Sequence, residues 1–383
     1  MNEGTIRDAP RAWRERTDWV PVDRPLGQVL RGLRWAAVLV YLIVLSYNWH
    51  KNGVPFDRTG LLLWIGIGLG CACIGRHPVW LLWVVADFLP LAAVLIVYDR
   101  LRGWSYTVGM PTWWHPQINV DRWLFIGHEP TVVLQEYLKH TGIQWWDVAV
   151  SVCYYTFFFL PYLLAAIMWL RSRADFYRWS LRFVALSFLG FGLFLLIPSA
   201  PPWAAARCTA AEVADHPNGP TCMYLGDRLV PGNLLGDFHS HVDGANPYVQ
   251  LITTRGITKL HLTYAHTLVE HGRGWGDAVA AVPSLHVGGT VLFVLFMWNR
   301  VRKWWRPLLV AYPFLMQFSL TYGADHYIAD GIAGALCAWL VHAIANRIER
   351  WHKARRAPDT LEPPREPTLE SECPPTATTP SST

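Results

Sequence analysis

Hydrophobic and polar positions alternate along this chain in long blocks rather than in short periods. Apolar runs stand at about 35–49, 60–74, 79–98, 148–170, 181–198, 285–299, 307–322 and 328–346. A helix that crosses a bilayer needs roughly 17–25 residues, and flanking residues such as Leu30 and Phe56 extend the shorter runs. The pattern predicts an all-α fold, a polytopic membrane bundle of about eight transmembrane helices. Gly75-Arg76-His77-Pro78 alone separates the second and third runs, which suits a tight helical hairpin. Asp87 lies inside the third run. An ionisable residue at that depth is either functional or a partnered structural carboxylate, and the pattern leaves both open.

Composition agrees with a membrane setting. The chain of 383 residues is 52% hydrophobic and 16% charged, with 22 Trp. Soluble domains carry about a quarter charged residues, and Trp is favoured where an apolar body meets a polar boundary. The net charge of +5 comes from basic residues beside the apolar runs, so it reads as a topology signal and not as a nucleic-acid surface. The first 25 residues are polar and hold Arg7, Arg11, Arg14, Arg16 and Arg24. They offer no apolar stretch for a cleavable signal peptide.

Basic residues favour the cytoplasmic side of a membrane. Further clusters occur at Arg171, Arg173, Arg178 and Arg182, at Arg300, Arg302, Lys303 and Arg306, and at Arg347, Arg350, Lys353, Arg355 and Arg356. Eight spans with a cytoplasmic N-terminus put every cluster inside. Loops 99–147 and 199–284 and the turn 323–327 then lie outside. The expected organisation is a cytoplasmic arm (1–28), accessory helices with a Trp-rich outer loop (29–147), a catalytic membrane core with a long outer loop (148–350) and a disordered cytoplasmic tail (351–383) rich in Pro, Thr, Ser and Glu. The Trp-rich loop reads equally as interfacial helices or as a cap packed on the bundle. Cys208 and Cys222 share the long outer loop, and in an oxidising compartment they are expected to form a disulfide.

Two short stretches carry candidate chemistry. Ala281-Val282-Pro283-Ser284-Leu285-His286 precedes the sixth run, and Tyr322-Gly323-Ala324-Asp325-His326-Tyr327-Ile328-Ala329-Asp330 opens the eighth. The topology brings His286 and His326 to the same face at the same depth. His326 and Asp330 are spaced i,i+4, which puts them on one helical face. A carboxylate on one imidazole nitrogen fixes the tautomer and makes the other nitrogen a nucleophile. A second histidine can protonate a leaving oxygen. The set suits phosphoryl transfer through a phosphohistidine, with no metal and no cofactor; a hydrogen-bonded helix cap with unrelated histidines fits the spacing too.

Pro283-Ser284-Leu285-His286 followed by His326-Tyr327-Ile328-Ala329-Asp330 resembles the type 2 phosphatidic acid phosphatase superfamily, with its P-S-x-H and H-x-x-x-D motifs. Ile197-Pro198-Ser199-Ala200-Pro201-Pro202-Trp203 resembles the P-x-A-P-P-W element of the inositol phosphorylceramide synthase branch. The resemblance covers about residues 150–346 and, more weakly, the third apolar run. It implies His326 as the nucleophile, Asp330 as its orienter, His286 as the general acid and Ser284 as a phosphate ligand, with Pro201, Pro202 and Trp203 supporting. The K-x6-R-P motif of the phosphatase members is missing, and Ser319-Leu320 stands where they have Ser-Arg. Another cation must then neutralise phosphate. Arg207, Arg255, Lys259 and Arg273 are the outer-loop candidates, and Arg273 is preferred for its position before Pro283.

The resemblance implies an integral membrane phosphotransferase acting on lipid-linked phosphate, with a polyol or headgroup as acceptor. The alternative is a lipid phosphate phosphatase using water. An outward-facing site implies the plasma membrane, with chemistry on the extracytoplasmic face. A lipid transporter or flippase is a reading of a different class, but it calls for charges deep in several spans and matching halves. Only Asp87 answers to the first, and no halves correspond. Asp237-Phe238-His239-Ser240-His241-Val242-Asp243 in the long loop remains open. Its His-x-His-x-Asp spacing reads as a metal site, a solvated loop or a contact for a headgroup.

Overall fold

A computed structural model describes residues 24–52, 58–102, 110–215, 218–223, 232–260 and 279–356. The apolar runs are helices: α1 (Pro25–Asn52), α2 (Arg58–Ala72) and α3 (Val79–Arg102). The Trp-rich loop then supplies two short helices, α4 (Pro116–Leu124) and α5 (Pro130–Leu138). The remaining long helices are α6 (Trp145–Arg171), α7 (Arg173–Leu196), α8 (Leu285–Met297), α9 (Arg306–Tyr322) and α10 (Ile328–Arg356). No strand occurs among the described residues. By length and composition α1, α3, α6, α7 and α10 can each cross a bilayer, while α2 and α8 are apolar but shorter and α9 has 17 residues.

The apolar surface is distributed as lipid requires. Leu39, Val40, Ile43 and Val44 on α1 are exposed, as are Leu81, Leu82, Val85 and Leu89 on α3. Such stripes would be costly in water but cost nothing against lipid tails. The buried side is a tight aromatic core. Trp80 and Trp169 meet edge to face at 5.4 Å, and Trp179 packs on Phe296 at 5.2 Å. Leu95, Trp169, Trp179, Leu186 and Leu292 join α3, α6, α7 and α8 into one hydrophobic cluster.

Asp87 is a partnered carboxylate. It accepts from Trp169 Nε1 at 2.8 Å, from Arg173 Nε at 2.7 Å and Nη2 at 2.6 Å, and from the Tyr177 hydroxyl. The Arg173 fork and two further donors compensate the desolvation of a residue only 3% exposed. This cluster ties α3 to the α6–α7 corner.

The helices of the Trp-rich loop dock on the bundle. Gln135 of α5 donates through Nε2 to the carbonyl of Tyr322 at 2.8 Å, and Asp121 of α4 accepts from the start of α10. Trp114 is buried, whereas Trp113, Trp123 and Trp145 stay exposed. The described part of the loop from residue 110 onward is therefore a cap with an aromatic rim.

Candidate active site

Helix α8 begins at Leu285 because Ser284 caps it, its Oγ accepting from Val287 N at 3.4 Å. Helix α10 begins beside it. The N–H of Ser284 donates to the carbonyl of Asp330 at 2.9 Å. This contact depends on a missing side chain: a Cβ on Gly334 would stand 2.1 Å from the Ser284 carbonyl oxygen, and one on Gly288 would stand 2.9 Å from that of Gly334. The two helix starts can approach only because both positions are bare.

That approach brings the two histidines together. The rings of His286 and His326 have centroids 5.5 Å apart. His326 is 7% exposed, and its Nδ1 lies 3.3 Å from Oδ2 of fully buried Asp330. The same oxygen accepts from Tyr327 N at 2.9 Å, which fixes the carboxylate. With Nδ1–H facing the carboxylate, Nε2 of His326 carries the lone pair. His286 is held by aromatic faces, with Phe157 at 4.2 Å and Tyr154 stacked at 5.1 Å.

The turn between α9 and α10 is fixed from several sides. Ala324 takes a left-handed φ of 66°, a conformation that costs energy for a residue with a side chain. Trp203 N donates to the Ala324 carbonyl at 3.0 Å, and Ile252 N to that of Gly323 at 3.1 Å. Thr253 Oγ1 bonds to the Asp325 carboxylate. Asp121 accepts from Ile328 N at 2.9 Å and from Ala329 N at 2.8 Å.

Pro201, Pro202 and Trp203 sit in this framework. Pro202 starts a single helical turn, Pro202–Ala205, where its missing N–H costs nothing. Just upstream, Ser199 N donates to the Val279 carbonyl at 2.7 Å, and Ser199 Oγ accepts from Val282 N at 2.8 Å. Ala200 N donates to the Trp113 carbonyl at 3.0 Å. The proline-rich element therefore braces both the approach to Ser284 and the turn before α10. Cys208 and Cys222 are joined by a disulfide with Cα atoms 5.3 Å apart.

The basic residues differ in their engagements. Nη2 of Arg255 pairs with both oxygens of Asp147, at 2.8 and 2.9 Å, and reaches the Tyr322 hydroxyl at 3.0 Å. Lys259 Nζ donates to the Ile143 carbonyl at 2.6 Å. The Arg207 guanidinium lies over the Trp203 ring at 5.1 Å, with Nη1 on the Met223 carbonyl at 3.1 Å. Arg273 lies outside the described residues. The His-x-His-x-Asp stretch rests on α5: Glu136 accepts from His239 N at 2.6 Å and from His241 N at 2.9 Å, and the His241 ring stacks on Tyr137 at 4.3 Å. Among the described residues no group of three or more His, Cys, Asp and Glu side chains could hold a metal ion.

Sequence reasoning passed over the buried charges of the Trp-rich loop. Asp121 and Glu129 are 0% and 4% exposed. Burial, opposed by two backbone N–H bonds, pushes the Asp121 carboxyl up to about 6, with nearby Asp330 adding to the rise. Burial likewise pushes Glu129 up to about 7, against its bond from Val132 N. Lys139, 1% exposed, is pushed down to about 7 by burial and by Arg255, and its Nζ donates to the Tyr248 carbonyl. No motif marks these residues. Asp121 meets its partner across 207 positions of sequence, and no local pattern encodes such a contact.

A model of the PAP2 superfamily matches residues 117–344. The chain is also 24% identical over 259 residues to a Bacteroides thetaiotaomicron protein named phosphoinositol dihydroceramide synthase, covering 66% of this chain and 73% of that one. No solved structure gives a match. The family match spans both histidine motifs, the proline-rich element and Asp121. The chain belongs to the PAP2 superfamily, resembles its inositol phosphorylceramide synthase-like members, and is a membrane enzyme acting as phosphotransferase or phosphatase on lipid-linked phosphate.

Proposed function

We propose that the protein transfers a phosphoryl-containing group from a lipid-linked donor to a polyol or lipid headgroup through a phosphohistidine. One observation carries the reading: His326 holds Asp330 on Nδ1 at 3.3 Å while its ring stands 5.5 Å from that of His286. Nε2 of His326 attacks phosphorus, the bond from phosphorus to the leaving oxygen breaks, and His286 gives that oxygen its proton. An acceptor hydroxyl then loses its proton to His286 and attacks phosphorus, and the bond to His326 breaks. Asp330 stabilises the imidazolium that forms in each half.

Charge must be met where it develops, on the equatorial oxygens. Arg207 is the best candidate among the described cations, because it lies on Trp203, whose N–H holds the turn before α10. Arg255 is committed to Asp147. Ser284 contributes through the start of α8, where backbone N–H groups and the helix dipole favour an anion.

The acceptor separates two readings. The name of the Bacteroides relative and the Pro201-Pro202-Trp203 element favour transfer to a polyol; water would make the enzyme a lipid phosphate phosphatase. We assign the site to the extracytoplasmic face of the plasma membrane, since the basic clusters then lie inside. The donor enters sideways from the outer leaflet.

The test uses purified protein in detergent with EDTA, a panel of lipid phosphates and phosphodiesters, and a polyol present or absent. Polyol-dependent transfer that survives EDTA and vanishes in His326→Ala is expected. Phosphate release independent of polyol would assign the phosphatase instead. Activity retained by His326→Ala would remove the nucleophile assignment.

A further inference from the structure

The N-terminus of α10 carries the candidate nucleophile turn, and its exposed N–H groups must be met by something. A helix is ordinarily capped by the side chain just before it. Here the residue before Ile328 is Tyr327, which has no short acceptor. Asp330 takes the N–H of Tyr327 with the same oxygen that faces His326. The next two N–H groups, of Ile328 and Ala329, are taken by Asp121 from α4, one on each carboxylate oxygen, at 2.9 and 2.8 Å. Asp121 and Asp330 are both fully buried, so no bulk water competes for these bonds.

We propose that Asp121 is a positioning residue for the nucleophile, its carboxylate clamping the N–H groups of Ile328 and Ala329 so that Asp330 is left to His326 and the Tyr327 N–H. The inference rests on the reading of His326 as nucleophile. Its physical basis is a division of labour between two carboxylates at one helix terminus. Without Asp121, the free N–H groups of Ile328 and Ala329 would compete for the Asp330 carboxylate, and His326 would lose the partner that sets its tautomer.

The clamp also has a rigid mount. Helix α4 starts at Pro116, three residues after Trp113, whose N–H donates to the Pro198 carbonyl at 2.8 Å and whose carbonyl accepts from Ala200 N at 3.0 Å. The Asp121 helix is thus tied to the proline-rich element that braces the other side of the same turn. The charged neighbours that face Asp121 are Asp330 and Glu129, with Arg122 beside it in the chain. A substitution at Asp121 therefore alters a cluster and not an isolated cap, and the test must separate position from fold.

The experiment compares Asp121→Asn, Asp121→Glu and His326→Ala in the full chain, with thermal unfolding to establish folding and rapid-quench phosphoenzyme formation beside steady-state kinetics. Asparagine keeps one acceptor oxygen and puts a donor where the other was; glutamate keeps the charge one methylene further out. Folded Asp121→Asn should form phosphoenzyme and turn over about 10–100-fold more slowly, with KM within about twofold, and Asp121→Glu should recover part of the rate. A cap serving only stability would lower the unfolding temperature and leave kcat of the folded fraction unchanged; native kcat in folded Asp121→Asn overturns the proposal. If Asp121→Asn does not fold, the same criteria apply to Asp121→Glu, and failure of both to fold overturns it as well, making Asp121 a folding residue. Activity in His326→Ala would instead overturn the underlying reading, whatever Asp121 does.

Discussion

The imidazole rings of His286 and His326 stand 5.5 Å apart with planes inclined at 58°. The two rings belong to different helices, and their distance is set where those helices begin. One ring is aromatic-packed, the other is bonded to a buried carboxylate. The carboxylate on His326 suits the nucleophile, which needs an orienting acceptor.

If His286 protonates the leaving oxygen, its loss should matter in proportion to how badly that oxygen needs a proton. His286→Gln should slow phosphoenzyme formation from an alkyl lipid phosphate by about 10²–10⁴-fold. The loss should be much smaller for a nitrophenyl phosphate, whose phenolate leaves unprotonated. Rapid-quench rates of phosphoenzyme formation on the two substrates decide this, since steady-state turnover also contains the step in which His286 acts as base, and an equal loss on both would take His286 out of the acid role.

The Gly334–Ser284 contact offers a steric test of the helix crossing. Alanine at 334 puts a Cβ 2.1 Å from the Ser284 carbonyl oxygen, so α8 and α10 must part. Gly334→Ala should cost about 1–3 kcal/mol of stability and most of the activity, because it moves His286 away from His326. Gly192→Ala is the control, since a Cβ there meets nothing within 4 Å. Thermal unfolding and turnover of both variants check the prediction, and an active, native-like Gly334→Ala would contradict it.

Buried charges of the Trp-rich cap predict an unusual pH dependence of stability. Asp121 and Glu129 have folded values raised to about 6 and about 7. Their contribution is full below about pH 4 and is lost as pH rises through those values, because the folded state then holds charge it would rather not bury. Lys139 is lowered to about 7, so its contribution is present above about pH 10 and is lost as pH falls towards 7. Together the three place a minimum of stability near neutral pH. The unfolding temperature in detergent should rise between pH 7 and pH 5, and Glu129→Gln should flatten that rise. A native-sized rise in Glu129→Gln would remove Glu129 as its source.

The membrane class, the helical fold and the candidate motifs were legible in the amino-acid order, because each is a local property. Apolar runs at 148–170 and 181–198 mark helices that the structure draws as α6 and α7, since a lipid-facing backbone must satisfy its hydrogen bonds within one segment. His326 and Asp330 are legible for the same reason, as i,i+4 neighbours share a helical face. Sequence left Asp87 with two readings, and the Arg173 fork at 2.6 and 2.7 Å chose the structural one. It also left the Trp-rich loop as either interfacial or capping.

Only tertiary packing decided the rest. The ring separation of His286 and His326 depends on Gly288 and Gly334 meeting across α8 and α10, and bare positions inside apolar runs carry no signal of what they touch. Asp121 reads in sequence as one acid in a polar loop; its function as a clamp exists only because α4 folds back onto α10. Sequence left Arg207, Arg255, Lys259 and Arg273 as candidate phosphate ligands, and the pairing of Arg255 with Asp147 is a contact that only the fold supplies. Buried polar groups take whatever partner the fold brings within reach, and that choice is made by long-range geometry rather than by neighbours in the chain.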